Sequence, residues 1–121
     1  VIRAVENCYH NAYNALNIKA KPYISYRIPQ IYHSGVCIYF MFGIYTEGIA
    51  SPEDVFADLE NQIRKSIVEN GGAISHHHGV GKLRKAFMPY TMTESGVALV
   101  KSIKKATDPD NVFGIGNNVF D

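Results

Sequence analysis

From Ile2 to Leu16, apolar residues recur every three or four positions: Val5, Cys8, Tyr9, Ala12, Tyr13 and Leu16. That spacing predicts an amphipathic helix with one buried stripe. Asn17 and the Lys19-Ala20-Lys21-Pro22 run end it. The pattern then changes period. Residues 23–33 hold Tyr23, Ile24, Tyr26, Ile28, Ile31 and Tyr32, the aromatic and β-branched content of a strand. Pro29 interrupts this run, which predicts an edge strand or a bulged one. His33-Ser34-Gly35 reads as the turn. Along Val36–Tyr45 strict alternation sets Val36, Ile38, Phe40, Phe42 and Ile44 on one face and Cys37, Tyr39, Met41 and Tyr45 on the other. Both faces are apolar, so this strand is expected to be central, covered on one side and lining something on the other.

Ser51-Pro52-Glu53-Asp54 is a helix start: a serine cap, proline in the first turn, and two carboxylates at the positive end of the dipole. Val55, Phe56, Leu59, Ile63 and Ile67 form its apolar stripe, and Gly71-Gly72 closes it. A short extended piece, Ala73-Ile74-Ser75, follows. A last helix is expected from about Thr93 to Ala106, stopped by Asp108-Pro109-Asp110-Asn111 and followed by a tail rich in glycine and asparagine. There are no internal repeats. The order helix, strand, strand, helix, short strand, helix predicts an α+β fold, an antiparallel sheet flanked by helices. So few strands want a partner, and the chain begins at Val1 inside a helical pattern. Both features lead to the expectation of an incomplete piece of a larger enzyme.

Composition narrows the class. The 121 residues are 46% hydrophobic and 19% charged, the balance of one ordinary globular domain. A formal charge of +1 argues against nucleic acid as a partner, which calls for a basic excess. Cys8 and Cys37 fit no disulfide framework or zinc motif and read as two free thiols. The strongest apolar run, Val36–Tyr45, is too short to span a bilayer.

The sharpest local signal is His76-His77-His78-Gly79-Val80-Gly81-Lys82. Its internal position rules out an affinity tag. A metal site is disfavoured, because adjacent histidines on an extended segment point in alternate directions and His10, His33 and Glu94 lie in unrelated contexts. A structural turn stays open beside a functional reading. In the latter, Gly71-Gly72 and Gly79/Gly81 let the backbone approach a ligand, and imidazoles stand where a proton must move. Lys82, Arg84 and Lys85 could pair with phosphate, but read first as a solvated helix face. Periodicity alone makes Tyr39 a core aromatic; a phenol serves as acid or base only beside groups that favour its ionised form. Arg27 is one charge in an otherwise apolar strand, which is found at a rim, in a pair, or on an anion.

The stretches Cys37-Ile38-Tyr39-Phe40, Asn70-Gly71-Gly72, Ser75–Lys85 and Asp108-Pro109-Asp110-Asn111-Val112-Phe113-Gly114 resemble the vanillyl-alcohol-oxidase-type family of FAD-linked flavoproteins. Within it they are most similar to the ether-lipid-forming branch. The resemblance runs from about Tyr26 onward, and the triple histidine with its Gly-Val-Gly-Lys-Leu-Arg-Lys sequel is the part specific to that branch. It implies that residues 1–107 are the C-terminal part of a cap domain over the flavin and 108–121 a C-terminal tail, with the FAD-binding domain absent from this chain. It implies exchange of the acyl group of acyl-dihydroxyacetone phosphate for a long-chain fatty alcohol, giving alkyl-dihydroxyacetone phosphate and a fatty acid without net redox change.

By the same resemblance Tyr39 is the catalytic tyrosine of proton transfer, and His76, His77 and His78 are needed for activity near flavin and substrate. Asn117 matches in the tail, whereas Ile115, Gly116 and Asn118 depart from the family's pattern. Arg27 is the candidate for substrate binding, and no metal is expected. A homodimer, association with a membrane surface and peroxisomal residence are implied too, although Val119-Phe120-Asp121 is not a peroxisomal tripeptide. Two alternatives remain. A cap domain of an FAD-linked 2-hydroxyacid dehydrogenase or oxidase needs only His-Gly-x-Gly and leaves three histidines unaccounted for. A non-enzymatic α+β module would bind a partner or a metal instead.

Overall fold

The computed structural model describes residues 1–120 and divides into two compact units, Val1–Gly71 and the residues from Gly72 onward. The first unit holds helix α1 (Ile2–Ala15), strands β1 (Tyr23–Tyr32) and β2 (Gly35–Gly43), and helix α2 (Pro52–Glu69). The second holds a 3-10 helix, Lys85–Tyr90, and helix α3 (Glu94–Thr107). The fold is α+β, as the periodicity predicts.

The core of the first unit is Val5, Tyr9 and Tyr13 of α1 against Leu59 and Ile63 of α2. Ile24, Phe40, Phe42 and Ile44 pack on it from the hairpin. Burying each such side chain contributes roughly 1.5–3 kcal/mol. Phe42 touches the ring of Tyr9 at a centroid distance of 5.8 Å and stacks on Phe56 at 5.5 Å. Tyr9 also carries a polar clasp. Its hydroxyl donates to the carbonyl of Gly43 at 2.7 Å and accepts the amide N–H of Tyr23 at 2.9 Å. Tyr23 and Gly43 face each other across the sheet, so one phenol ties α1 to both strands at the same level.

The strands pair antiparallel around the two-residue turn His33-Ser34. Register shifts between Arg27 and Gln30, where Ile28 and Pro29 together oppose Ile38. This is the bulge that Pro29 predicts, since proline has no N–H for the ladder. The expectation that β2 is central is corrected: among the described residues the sheet has two strands, so β2 keeps an unpaired edge. Helices cover its Phe40–Phe42 face, Cys37 on the other face is buried too, and Val36, near the turn, is exposed despite the alternation.

Two further expectations fail locally. Ser51 occupies the position before α2 but makes no side-chain capping bond; Pro52, Glu53 and Asp54 carry the start. Ala73-Ile74-Ser75 forms no strand and runs as an irregular bend. The end of α2 behaves as expected, with Gly71 at φ +81°. On α2, Arg64 is buried and satisfied by Glu60 and, at 3.2 Å, by Asn61.

In the second unit Thr93 caps α3, its hydroxyl accepting the N–H of Gly96 at 3.2 Å. No residue of α3 is buried. The stop after it has a clear cause. The Asp108 carboxylate accepts the N–H groups of Val112 and Phe113, each at 2.9 Å, and pairs with Lys104. Those contacts, the Lys104 hydrogen bond first, hold its pKa down at about 2.

A candidate acid–base site

Alternation along β2 decides where Tyr39 stands. Phe40 and Phe42 turn toward the helices, so Tyr39 and Met41 lie on the opposite face of the hairpin. Directly across the ladder is Arg27, whose guanidinium carbon lies 5.2 Å from the centre of the Tyr39 ring. That is cation–π distance. Tyr39 is half-buried and Arg27 exposed. The periodic reading of Tyr39 as a core aromatic is corrected to this extent: it lies outside the cluster that α1, α2 and the Phe40–Phe42 face form. A cleft of about 410 Å³ at the end of α1, lined by Leu16, Asn17, Lys19, Tyr45, Glu47 and Ile49, contains none of the expected site residues.

The histidines occupy a loop between left-handed glycines, Gly71 at φ +81° before and Gly79 at φ +76° after. All three imidazoles are exposed and touch in series. His76 and His77 meet edge-on at a centroid distance of 5.0 Å, His77 and His78 at 4.2 Å. His76 Nδ1 and His77 Nδ1 lie 2.8 Å apart, so one must be protonated and the other must accept. Loss of water around the charged ring, then the neighbouring His78 and His76, lower the pKa of His77 below the ordinary imidazole value. An imidazole that stays neutral in a hydrogen-bonded chain is suited to accepting and passing a proton.

The tail packs against this loop within the second unit. The backbone N–H of Asn118, at φ +53°, donates to the Gly81 carbonyl at 2.9 Å. Lys85 donates its ammonium to the Phe120 carbonyl, and Arg84 reaches the Gly79 carbonyl at 3.3 Å. Lys85 and Arg84 are thus half-buried loop ties, not the solvated helix face that their charge suggests. Asn117 caps a turn by donating its N–H to Gly114 at 3.0 Å; Asn118, beside it, makes the loop contact. Two buried atoms in this unit, Ser75 Oγ and Asn118 Oδ1, have no hydrogen-bond partner. Sequence reasoning missed both, and the one signal was an asparagine in a glycine-rich tail, the residue that tolerates positive φ.

No group of three or more metal-ligating side chains occurs among the described residues. The arrangement is a run of three touching imidazoles on one unit and a phenol–guanidinium pair on the other. A profile described as FAD linked oxidases, C-terminal domain, matches residues 6–117. The chain belongs to this family. Among FAD-linked oxidase relatives it is 44% identical over 91 residues to an alkyldihydroxyacetonephosphate synthase of Caenorhabditis elegans, covering 75% of this chain and 15% of that one. Proteins of the same name from Dictyostelium discoideum and Trypanosoma brucei brucei are each 30% identical, over 74% and 70% of this chain. The chain spans about 15% of the length of these relatives.

The histidine loop is open, because a Cβ added at Gly79 or Gly81 would meet nothing within 4 Å, and its imidazoles are exposed.

Proposed function

We propose that this chain is the C-terminal part of the cap domain, with the tail that follows, of an alkyldihydroxyacetonephosphate synthase. The observation that carries this reading is the exposed run His76-His77-His78 in an open glycine-bounded loop, with His76 Nδ1 2.8 Å from His77 Nδ1. Identity of 44% to the Caenorhabditis elegans synthase supports the same reading, and nothing in the chain favours the 2-hydroxyacid or binding-module alternatives over it. The parent enzyme exchanges the acyl group of acyl-dihydroxyacetone phosphate for a fatty alcohol. FAD, when bound by the rest of the enzyme, supplies the centre at which the dihydroxyacetone phosphate unit is activated.

The residues of this chain do the proton work around that centre. On the first unit Tyr39 exchanges a proton with the carbon next to the ketone; on the second, His76, His77 and His78 accept and return protons. Departure of the carboxylate and entry of the alcohol each need one such transfer. Asn117 and its neighbours hold the tail that steadies the loop. We carry peroxisomal residence, a homodimer and contact with a membrane surface as parts of this proposal. They rest on resemblance, and no described helix is long and apolar enough to cross a membrane.

The test is exchange of labelled hexadecanol into palmitoyl-dihydroxyacetone phosphate by the full-length enzyme carrying Tyr39→Phe. We expect exchange to be abolished with stoichiometric flavin retained. Near-normal turnover in that variant would sink the proposal.

A further inference from the structure

The lone charge in β1 reads from sequence as a ligand for an anion. The register gives it another task. Counted back from the His33-Ser34 turn, the pairs Tyr32–Gly35, Ile31–Val36 and Gln30–Cys37 would bring Arg27 opposite Phe40 if the ladder ran on regularly. Phe40 packs toward the helix core, and a guanidinium there would face apolar side chains. The extra residue at Ile28-Pro29 moves the pairing by one, and Arg27 comes to lie across from Tyr39 instead. The bulge thus takes the charge off the helix side and sets it over the phenol ring, at 5.2 Å.

We propose that Arg27 is a positioning residue for Tyr39, held there by the Pro29 bulge, and that it acts through the phenol and not on the substrate's phosphate. The planar guanidinium covers one face of the ring and narrows the orientations of the hydroxyl. Its positive charge is drawn to the face of the ring, which keeps the two side chains together. This rests on the proton-transfer reading of Tyr39.

The experiment uses the full-length flavoenzyme with Arg27→Gln and Arg27→Lys, assayed by hexadecanol exchange across a range of palmitoyl-dihydroxyacetone phosphate concentrations. Flavin content serves as the measure of folding. A positioning role predicts that Arg27→Gln lowers kcat roughly 2- to 5-fold, the size expected for loss of an exposed cation–π contact. KM for the acyl substrate stays within about twofold, since no contact to the substrate is lost. Arg27→Lys, which keeps the cation, recovers most of the rate. A rise in KM of tenfold or more, with or without a fall in kcat, would identify Arg27 as a phosphate ligand and overturn the proposal. Unchanged kinetics would overturn it as well. Should Arg27→Gln lose flavin, the lysine variant decides: near-normal kcat and KM support positioning, and a raised KM refutes it. Failure of the underlying reading looks different, because it would leave Tyr39→Phe itself active.

Discussion

Removing a single oxygen from Tyr9 should loosen the whole hairpin. In Tyr9→Phe the ring still fills its place between Tyr13 and Phe42, so no cavity opens. What is lost is the acceptor for the Tyr23 amide, at 2.9 Å, and the donor to the Gly43 carbonyl, at 2.7 Å. Leaving a buried polar group unsatisfied costs about 1–3 kcal/mol. Tyr23 is exposed and Gly43 half-buried, so water repays part of that, and ~2 kcal/mol is the reasonable total. A two-stranded hairpin is marginal without such an anchor. The measurement is amide hydrogen exchange of the full-length enzyme, followed in peptides covering residues 23–43. A loss of ~2 kcal/mol corresponds to exchange roughly 30-fold faster where local opening limits it. Tyr13→Phe is the control. It loses one bond, to the Ala20 carbonyl at 3.2 Å, and should quicken exchange around residues 16–20 while sparing the hairpin. Exchange at the wild-type rate across residues 23–43 in Tyr9→Phe would refute the clasp.

His77 must be neutral to accept a proton, and its pKa lies below the ordinary 6.5, so the rate of exchange chemistry should fall only as pH drops below that value. His78→Gln removes one of the neighbouring charges that hold the pKa down, and should move this acid limb to higher pH in a pH–rate profile; a limb that does not move would exclude His77 as the titrating base. Asp108→Asn should lower the melting temperature by loosening the 108–113 turn. Because the carboxyl of Asp108 is depressed from 3.8 to about 2, its stabilising contribution is present above 3.8 and lost as pH falls through about 2. The wild type should therefore lose its advantage over Asp108→Asn in acid melts, and an advantage that persisted at pH 1.5 would contradict the assignment.

Local signals were legible where one residue type has one physical consequence. Pro29 cannot complete a ladder, and it marks the bulge. Gly71 takes the left-handed backbone that ends α2. The centrality of β2 was misread for a physical reason. An apolar strand face looks the same whether another strand, a helix or nothing in this chain covers it. The ties of Arg84 and Lys85 were equally hidden, because a lysine that donates to a distant carbonyl has the composition of one that faces water. Among the site residues, Tyr39 and the histidines stood out by family resemblance, and Arg27 by its isolation in an apolar strand. The pairing of Arg27 with Tyr39 needed the register itself, since the count from the turn without the bulge pairs it with Phe40.

The two-stranded sheet has a practical consequence for handling the protein. Among the described residues each strand has a sheet neighbour on one side only, and Ile28, Ile31, Val36 and Met41 of the hairpin are exposed. Such an edge recruits further strands from neighbouring molecules. Prepared on its own at high concentration, this segment should self-associate through the hairpin. A lysine in place of Ile31, which is 72% exposed and makes no core contact, is the natural way to keep it in solution.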